Sequence, residues 1–370
     1  MNLKRHGIMA GIALTATLAL AACGSDNTTT STAGGGSSGP AGGKVDCATG
    51  SLTAQGSSAQ KNAMDQWVKA YQQQCSGAQI NYQSTGSGAG KAAFIGGTAD
   101  FAGSDSALKD DEQPKADARC SGGQAIHLPM VIGPIAVVYN LDGVKDLQLK
   151  PATIAKIFAG TAKTWDDAAI KADNPGAKLP NTPILPVHRS DSSGTTDNFT
   201  AFLTATGGSD WTYGKDQQWK APGGTAEKGS DGIAASVKKS AGAIGYVEWS
   251  FAQVNDLSTA KVGNGAGEFA TLDATSAGKT IAGAQVAGTG DDLKLKIDYA
   301  TKEAGAYPVV LVTYEVVCSK GNPADKVKLL KGFLGYIAGA DGQSALTKYG
   351  YAPLPAQVQT KVQSAITNLS

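Results

Sequence analysis

Three short segments of this chain place small hydroxyl and glycine residues where an extended run gives way to a helical one. They are Gly56-Ser57-Ser58-Ala59, Thr85-Gly86-Ser87-Gly88-Ala89-Gly90 and Arg189-Ser190-Asp191-Ser192-Ser193-Gly194-Thr195. A helix N-terminus exposes unpaired N–H groups and a partial positive charge, so each turn suits an anion. Glycine lets backbone approach a ligand closely, and Ser or Thr hydroxyls add short donors. Ordinary helix caps share this design. The third segment stands apart through Arg189, whose planar fork of donors matches a tetrahedral oxyanion. Asp191, two residues on, orients that guanidinium or caps the next helix. Asp105 is the odd member, because a carboxylate repels an anion unless the ligand has a proton to donate. Hydrogen phosphate has one and sulfate at neutral pH does not, so an acceptor-only group there would admit the first and reject the second.

Enzymatic readings of the same residues are weaker. Gly86 to Ala92 is one residue short of a P-loop and has Ala where Ser or Thr must reach magnesium. The single GxSxG pattern, Gly35 to Gly39, lies in a Gly/Ser-rich stretch without the strand-to-helix turn a nucleophile elbow needs. His188, Asp191 and Ser193 are triad residue types but sit too close together in one turn for triad geometry. Only His127 and His188 remain beyond the leader, and no CxxC or HExxH spacing occurs, so no metal site is expected.

The elements that must position these residues alternate between strand and helix. A short strand reaches Leu52, and an amphipathic helix is expected from about Ala59 to Gln74. It carries Ala63, Met64, Trp67, Val68 and Tyr71 on one stripe, with Ser57 or Ser58 placed to cap it. Ile80 and Tyr82 mark the next strand, a helix follows through Phe94, and a strand-to-turn passage runs from Ala99 to Ser106. Pro129 to Tyr139 and Tyr307 to Val317 are long apolar runs that suit buried strands. Between them lie a helix around Ile154 to Phe158, a strand over Ile184 to Val187, and a helix with Phe199, Phe202 and Leu203. A helix around Val327 to Ile337 closes the body. The alternation predicts an α/β architecture. Two long strands far apart in sequence suit a chain that crosses to a second domain and returns.

Residues 1–22 read as a signal peptide: Lys4 and Arg5, then an apolar run too short for a comfortable membrane span. The run ends in Leu20-Ala21-Ala22-Cys23, which resembles a bacterial lipobox, so Cys23 is expected to carry lipid and anchor the chain to the outer face of the cell membrane. Residues 23–43 then form a Gly/Ser/Thr-rich tether. Four cysteines remain, Cys47, Cys75, Cys120 and Cys318, an even number that outside the cytosol favours two disulfides with three possible pairings. Cys47 before the first strand and Cys75 at the end of the helix running back along it favour 47–75 and 120–318. The 32 Lys and Arg against 31 Asp and Glu leave no global field, which argues against nucleic acid as a partner.

The segments 81–90, 99–108, 164–180, 188–199, 231–248 and 349–355 together resemble the PstS family of phosphate-binding lipoproteins, the receptors of phosphate ABC transporters. The likeness runs in order from about Leu52 to Leu354, with RSDSSGT and an upstream GSD as its specific signature. It implies a two-lobed periplasmic-binding-protein type II fold with two hinge crossover strands. Lobe one would hold residues 44–132 plus 306–370, and lobe two residues 133–305. It implies binding of inorganic phosphate for delivery to membrane permease subunits served by a cytoplasmic ATPase, by a monomer that is not an enzyme and needs no cofactor. The alternatives are a secreted phosphatase, or a receptor of the same fold for another oxyanion. Residue by residue, Ser58 would supply a hydroxyl, Ala59 a backbone N–H, and Ser87 both. Asp105 would accept the phosphate proton, Arg189 steered by Asp191 would make the charged contact, and Ser193, Gly194 and Thr195 would cradle the other oxygens. The family usually has Thr-Phe where this chain has Ser58-Ala59, which keeps a backbone contact and loses the packing of the ring.

Overall fold

Nine strands of the computed structural model, which describes residues 45–370, join in one sheet. They are β1 (Gly50–Gly56), β2 (Ala78–Gln83), β3 (Phe101–Ser104), β4 (Ala125–Tyr139), β5 (Leu185–Arg189), β6 (Thr225–Glu227), β7 (Ala243–Glu248), β8 (Ser258–Thr259) and β9 (Val310–Cys318). Their order across the sheet is β2-β1-β3-β9-β4-β7-β5-β6, with β8 paired to β4. At one end β1 runs parallel to β2 and β3; at the other β5 runs parallel to β6 and β7. Parallel neighbours need a crossover, and helices supply it: α1 (Lys61–Gln74), α2 (Ser87–Ile95), α3 (Gly194–Thr206) and α4 (Gly229–Lys239). Each anion-type turn therefore sits at the carboxyl end of a strand, where open α/β sheets place their ligands.

The two long apolar runs form the middle. Every residue of β4 and β9 is buried. From Ala125 to Pro134 β4 pairs antiparallel with β9, and from Ile135 to Tyr139 it pairs with β7 instead. The exchange of partners follows Pro134, which has no N–H to offer the ladder. Register also shifts where Thr313 faces Val131 and Tyr314 faces Pro129, so Met130 bulges without a partner. Its carbonyl accepts instead from Gln343 Nε2 at 3.0 Å.

Packing follows the sequence stripes. Ala63, Met64, Trp67 and Tyr71 are the buried residues of α1, and Tyr71 meets the edge of Phe333 on α5 (Val327–Ala338) with ring centroids 5.4 Å apart. Under α3, Phe199 stacks on Tyr246 of β7 at 4.2 Å and Phe158 closes on both. Each fully buried aromatic of this kind contributes roughly 1.5–3 kcal/mol. Disulfides join Cys47 to Cys75 and Cys120 to Cys318. The first strand runs on past Leu52 to Gly56, and α1 starts at Lys61 rather than Ala59. Short ladders at 148–149, 261–263, 269–270, 285–286 and 295–296 add two further small sheets. Among the described residues no helix is long and apolar enough to cross a membrane. The leader, Cys23 and the tether lie outside the described residues.

Candidate functional site

The first turn is shaped by Gly56. Its φ of +146° lies where side chains are strained, and a Cβ there would fall 1.9 Å from the carbonyl oxygen of Gly103. β1 can therefore lie tight on β3 and turn at once, and Ser57 N–H donates to Gly103 O at 2.8 Å. The serines here do not cap α1. The residue before the helix is Gln60, which makes no side-chain cap. Ser57 Oγ donates to Asp105 Oδ1 at 2.5 Å and accepts from the Ala59 N–H at 3.1 Å. Ser58 Oγ lies 3.0 Å from Ser230 Oγ and accepts from Ser230 N–H at 3.1 Å. Both hydroxyls are thus drawn toward the other loops, which is why the cap expected of them is missing.

In the second turn Gly86 has φ +97°, and a Cβ on it would fall 2.4 Å from Asp191 Oδ2. Ser87, the first residue of α2, accepts from the Asp105 N–H through its Oγ at 3.1 Å. Gly88 N–H reaches across to Ser192 O at 3.0 Å. The third turn follows β5. Ser193 is the N-cap of α3, its side chain accepting from Thr196 N–H. Gly194 sits where the turns meet, since a Cβ on it would lie 2.5 Å from both Asp105 Cβ and Ser87 Oγ.

Arg189 ends β5 with only 3% of its surface exposed. Asp191 takes its Nε at 2.7 Å and its Nη2 at 2.5 Å, which fixes the fork and leaves Nη1 for another acceptor. Burial works against the Asp191 carboxylate, but the bonds and charge of Arg189 and the Gly229 N–H prevail and hold its pKa below the usual range. For Asp105 the balance goes the other way. Burial pushes its pKa up, against the hydroxyls of Ser57 and Thr313, the charge of Arg189 and the hydroxyl of Ser87. Thr195 Oγ1 is buried with no hydrogen-bond partner among the described residues.

The structure brings Ser87, Asp105, Asp191, Gly194 and the first turn into direct contact, with Arg189 held by Asp191. It also adds residues the sequence reading passed over. Thr313 of β9 donates to Asp105 Oδ1 at 2.8 Å. Asn198 of α3 donates to the backbone oxygens of Asp105 and Gly194 at 2.7 and 2.8 Å. Ser106 donates to Asp197 at 2.7 Å, and Gln217 receives Ser193 N–H on its carbonyl and the Ser192 hydroxyl on its side chain. Beside them lies a cavity of about 300 Å³ lined by Ser106, Lys109, Asp197, Lys215 and Gln217 among others. Polar Thr313 and Glu315 within the apolar run Tyr307–Val317 were the one available sign of a site residue on β9.

Comparison with known proteins bears on this geometry. The PBP superfamily domain is matched over residues 28–341. Phosphate-binding protein PstS 3 of Mycobacterium leprae is 42% identical over 369 residues, covering 99% of each chain. Phosphate-binding protein PstS 2 of Mycobacterium tuberculosis is 40% identical over 376 residues, covering 100% of both. Among solved structures, a phosphate-binding protein from Stenotrophomonas maltophilia matches with a TM-score of 0.67 at 20% identity, over 85% of this chain and 93% of the other. That last likeness is one of fold.

Proposed function

The chain belongs to the PstS family of phosphate-binding proteins within the PBP superfamily, and from that premise we propose that it binds inorganic phosphate outside the cytoplasm and delivers it to an ABC-type importer. The observation that carries this reading is the pairing of one buried, Asp191-held Arg189 with one buried acceptor, Asp105, among neutral hydroxyl and N–H donors. A generic anion site would have no use for the carboxylate. For hydrogen phosphate it accepts the ligand's proton, and for sulfate it is a repulsive, unpaired contact.

In this reading Arg189 meets the phosphate charge through the nitrogen that Asp191 leaves open. Ser87, Ser193, Gly194 and Thr195 supply hydroxyl and N–H donors around it, and the unpartnered Thr195 Oγ1 supports that role. Ser58 and Ala59 supply the first-turn donors. Their present bonds to Ser230 and Ser57 would be exchanged for phosphate on binding. Lobe one comprises 44–132 plus 306–370 and lobe two 133–305, with the crossovers in β4 and just before β9. The bonds from Ser58 to Ser230, Gly88 to Ser192 and Asn198 to Asp105 then run between lobes and describe a closed state. Opening rotates the lobes about the crossovers.

Cys23 carries the lipid that holds a monomer to the outer face of the membrane, within reach of the permease. The relatives are binding proteins, which points away from catalysis. A secreted phosphatase is not favoured, and turnover of a chromogenic phosphate ester by the purified protein would reinstate it. Calorimetry with phosphate and then sulfate tests the main reading. Phosphate is expected to bind and sulfate to fail; equal binding of the two would remove Asp105 as the discriminating group.

A further inference from the structure

His127 stands on β4, wholly buried, its ring perpendicular to that of Tyr314 on β9 with centroids 5.7 Å apart. Its backbone is tied to a segment far along the chain. The His127 N–H donates to Asp292 Oδ1 at 2.9 Å, and its carbonyl accepts from the Leu293 N–H at 3.0 Å. The ring is bound on both sides. Nδ1 lies 2.7 Å from the same Asp292 Oδ1, and Nε2 accepts from the Leu108 N–H at 2.9 Å. Leu108 closes the passage that leaves β3 and carries Asp105 and Ser106. That passage is pinned at its front where the Asp105 N–H meets Ser87 Oγ. At its back it is pinned by His127, and by Glu112 Oε2, which takes the Lys109 N–H at 2.9 Å and Lys91 Nζ at 2.6 Å.

These bonds leave one protonation state. A backbone N–H can only donate, so Nε2 meets Leu108 with a bare lone pair. An imidazole keeps at least one proton, which must then sit on Nδ1 and point at Asp292. The ring is therefore neutral in this arrangement. A second proton could only go to Nε2, where it would face the Leu108 N–H donor to donor. The bond that holds the back of the passage would then be lost.

We propose that His127 is a positioning residue whose neutral ring anchors the passage carrying Asp105 and Ser106, and that a proton added at Nε2 releases that passage and weakens binding on acidification. The charged and titratable groups around the ring are Asp292 and Lys294 on the segment after the 285–286 ladder, Tyr314 on β9, and Lys91 on α2, itself paired with Glu112. Burial holds the imidazole pKa below its ordinary value; Asp292 pulls it up, while Lys294 and Lys91 add to the lowering. The neutral form thus prevails at neutral pH, and the charged form enters only on the acid side. The tautomer stands on the hydrogen-bond geometry. Its effect on affinity rests on the phosphate reading above.

The test joins nitrogen NMR of the wild-type full chain to calorimetry of two variants. At neutral pH the His127 ring should show a protonated Nδ1 and a bare Nε2, and on acidification the Leu108 amide signal should shift along the same titration. His127→Gln sets a carbonyl oxygen that does not titrate within reach of Leu108, whereas His127→Leu offers no acceptor. At neutral pH phosphate affinity should fall about tenfold or more in His127→Leu and stay within about threefold of wild type in His127→Gln, since a buried donor left unpaired is the costly case. From about pH 7.5 to about pH 5 the wild type should lose affinity relative to His127→Gln, approaching about tenfold per pH unit once the ring is mostly charged. The ionisation of phosphate and of Asp105 is common to both proteins and cancels in that ratio. A protonated Nε2 at neutral pH, a Leu108 amide indifferent to the ring's titration, equal losses in the two variants, or one shared pH profile for wild type and His127→Gln overturns the proposal. Should a variant fail to fold, the two wild-type NMR readings decide. Failure of the wild type to bind phosphate at neutral pH overturns the binding reading instead, and the same NMR readings then judge the anchor alone.

Discussion

In the proposed phosphate site Arg189 and Asp105 would make two opposite demands on one ligand. Arg189 is buried and bound twice by Asp191, so its side chain is already ordered before a ligand arrives. Arg189→Ala removes the cation and leaves Asp191 buried beside an anion. Phosphate binding should weaken by about 2–5 kcal/mol, as when one partner of a buried charge pair is lost; unchanged affinity by calorimetry would remove Arg189 from the site. Asp105→Asn exchanges an obligatory acceptor for a group that can also donate. Sulfate should then compete with phosphate in a displacement assay, and a variant that still ignores sulfate would show that selectivity lies elsewhere. Both proposed roles could be put forward from the sequence because residue type suggests them: an Arg and a carboxylate set among neutral donors. The contacts of Ser57, Asn198 and Thr313 could not, since they depend on which strands become neighbours.

At the scale of elements, the turns are held as one cluster by glycines. Gly194, at the start of α3, lies so near Asp105 and Ser87 that Gly194→Ala would wedge the second and third turns apart. Overpacking of this kind costs roughly 1–3 kcal/mol, and here the cost falls on phosphate affinity. The unfolding midpoint without phosphate should change less than the binding constant, because alanine is well tolerated in a helix; equal losses in both would mean that Gly194 serves folding alone. The strands and helices around these turns could be read from apolar periodicity, which is strong over the stripe of α1 and the runs of β4 and β9. Two-residue ladders such as Gln285–Val286 carry no period and were invisible. The Met130 bulge was equally so, because it arises from two long strands losing register around Pro129.

Over the whole molecule, buried carboxylates set the response to pH. Glu248 and Glu315 are both raised to about 8, chiefly by burial, against about 4.3 for an unfolded glutamate. Their stabilising contribution is complete below about pH 4.3 and lost as pH rises through about 8. Asp191 and Asp292, held low, act in the opposite sense and lose theirs as pH falls below the ordinary carboxylate range. The melting temperature without phosphate should therefore decline from about pH 5 to about pH 8 and level beyond it, and E248Q/E315Q should flatten that decline. A curve that rises across this interval would contradict both assignments. The long central strand has a last consequence, for how the molecule is made. Nine of the first ten residues of β4 pair with Val310–Cys318, and Cys120 must find Cys318 across a separation of 198 residues. A chain threaded out of the cell N-terminus first would expose that apolar edge, unpaired, until nearly all of it had crossed. Such a chain would be open to aggregation over that interval, so shielding the edge until β9 arrives should raise its yield.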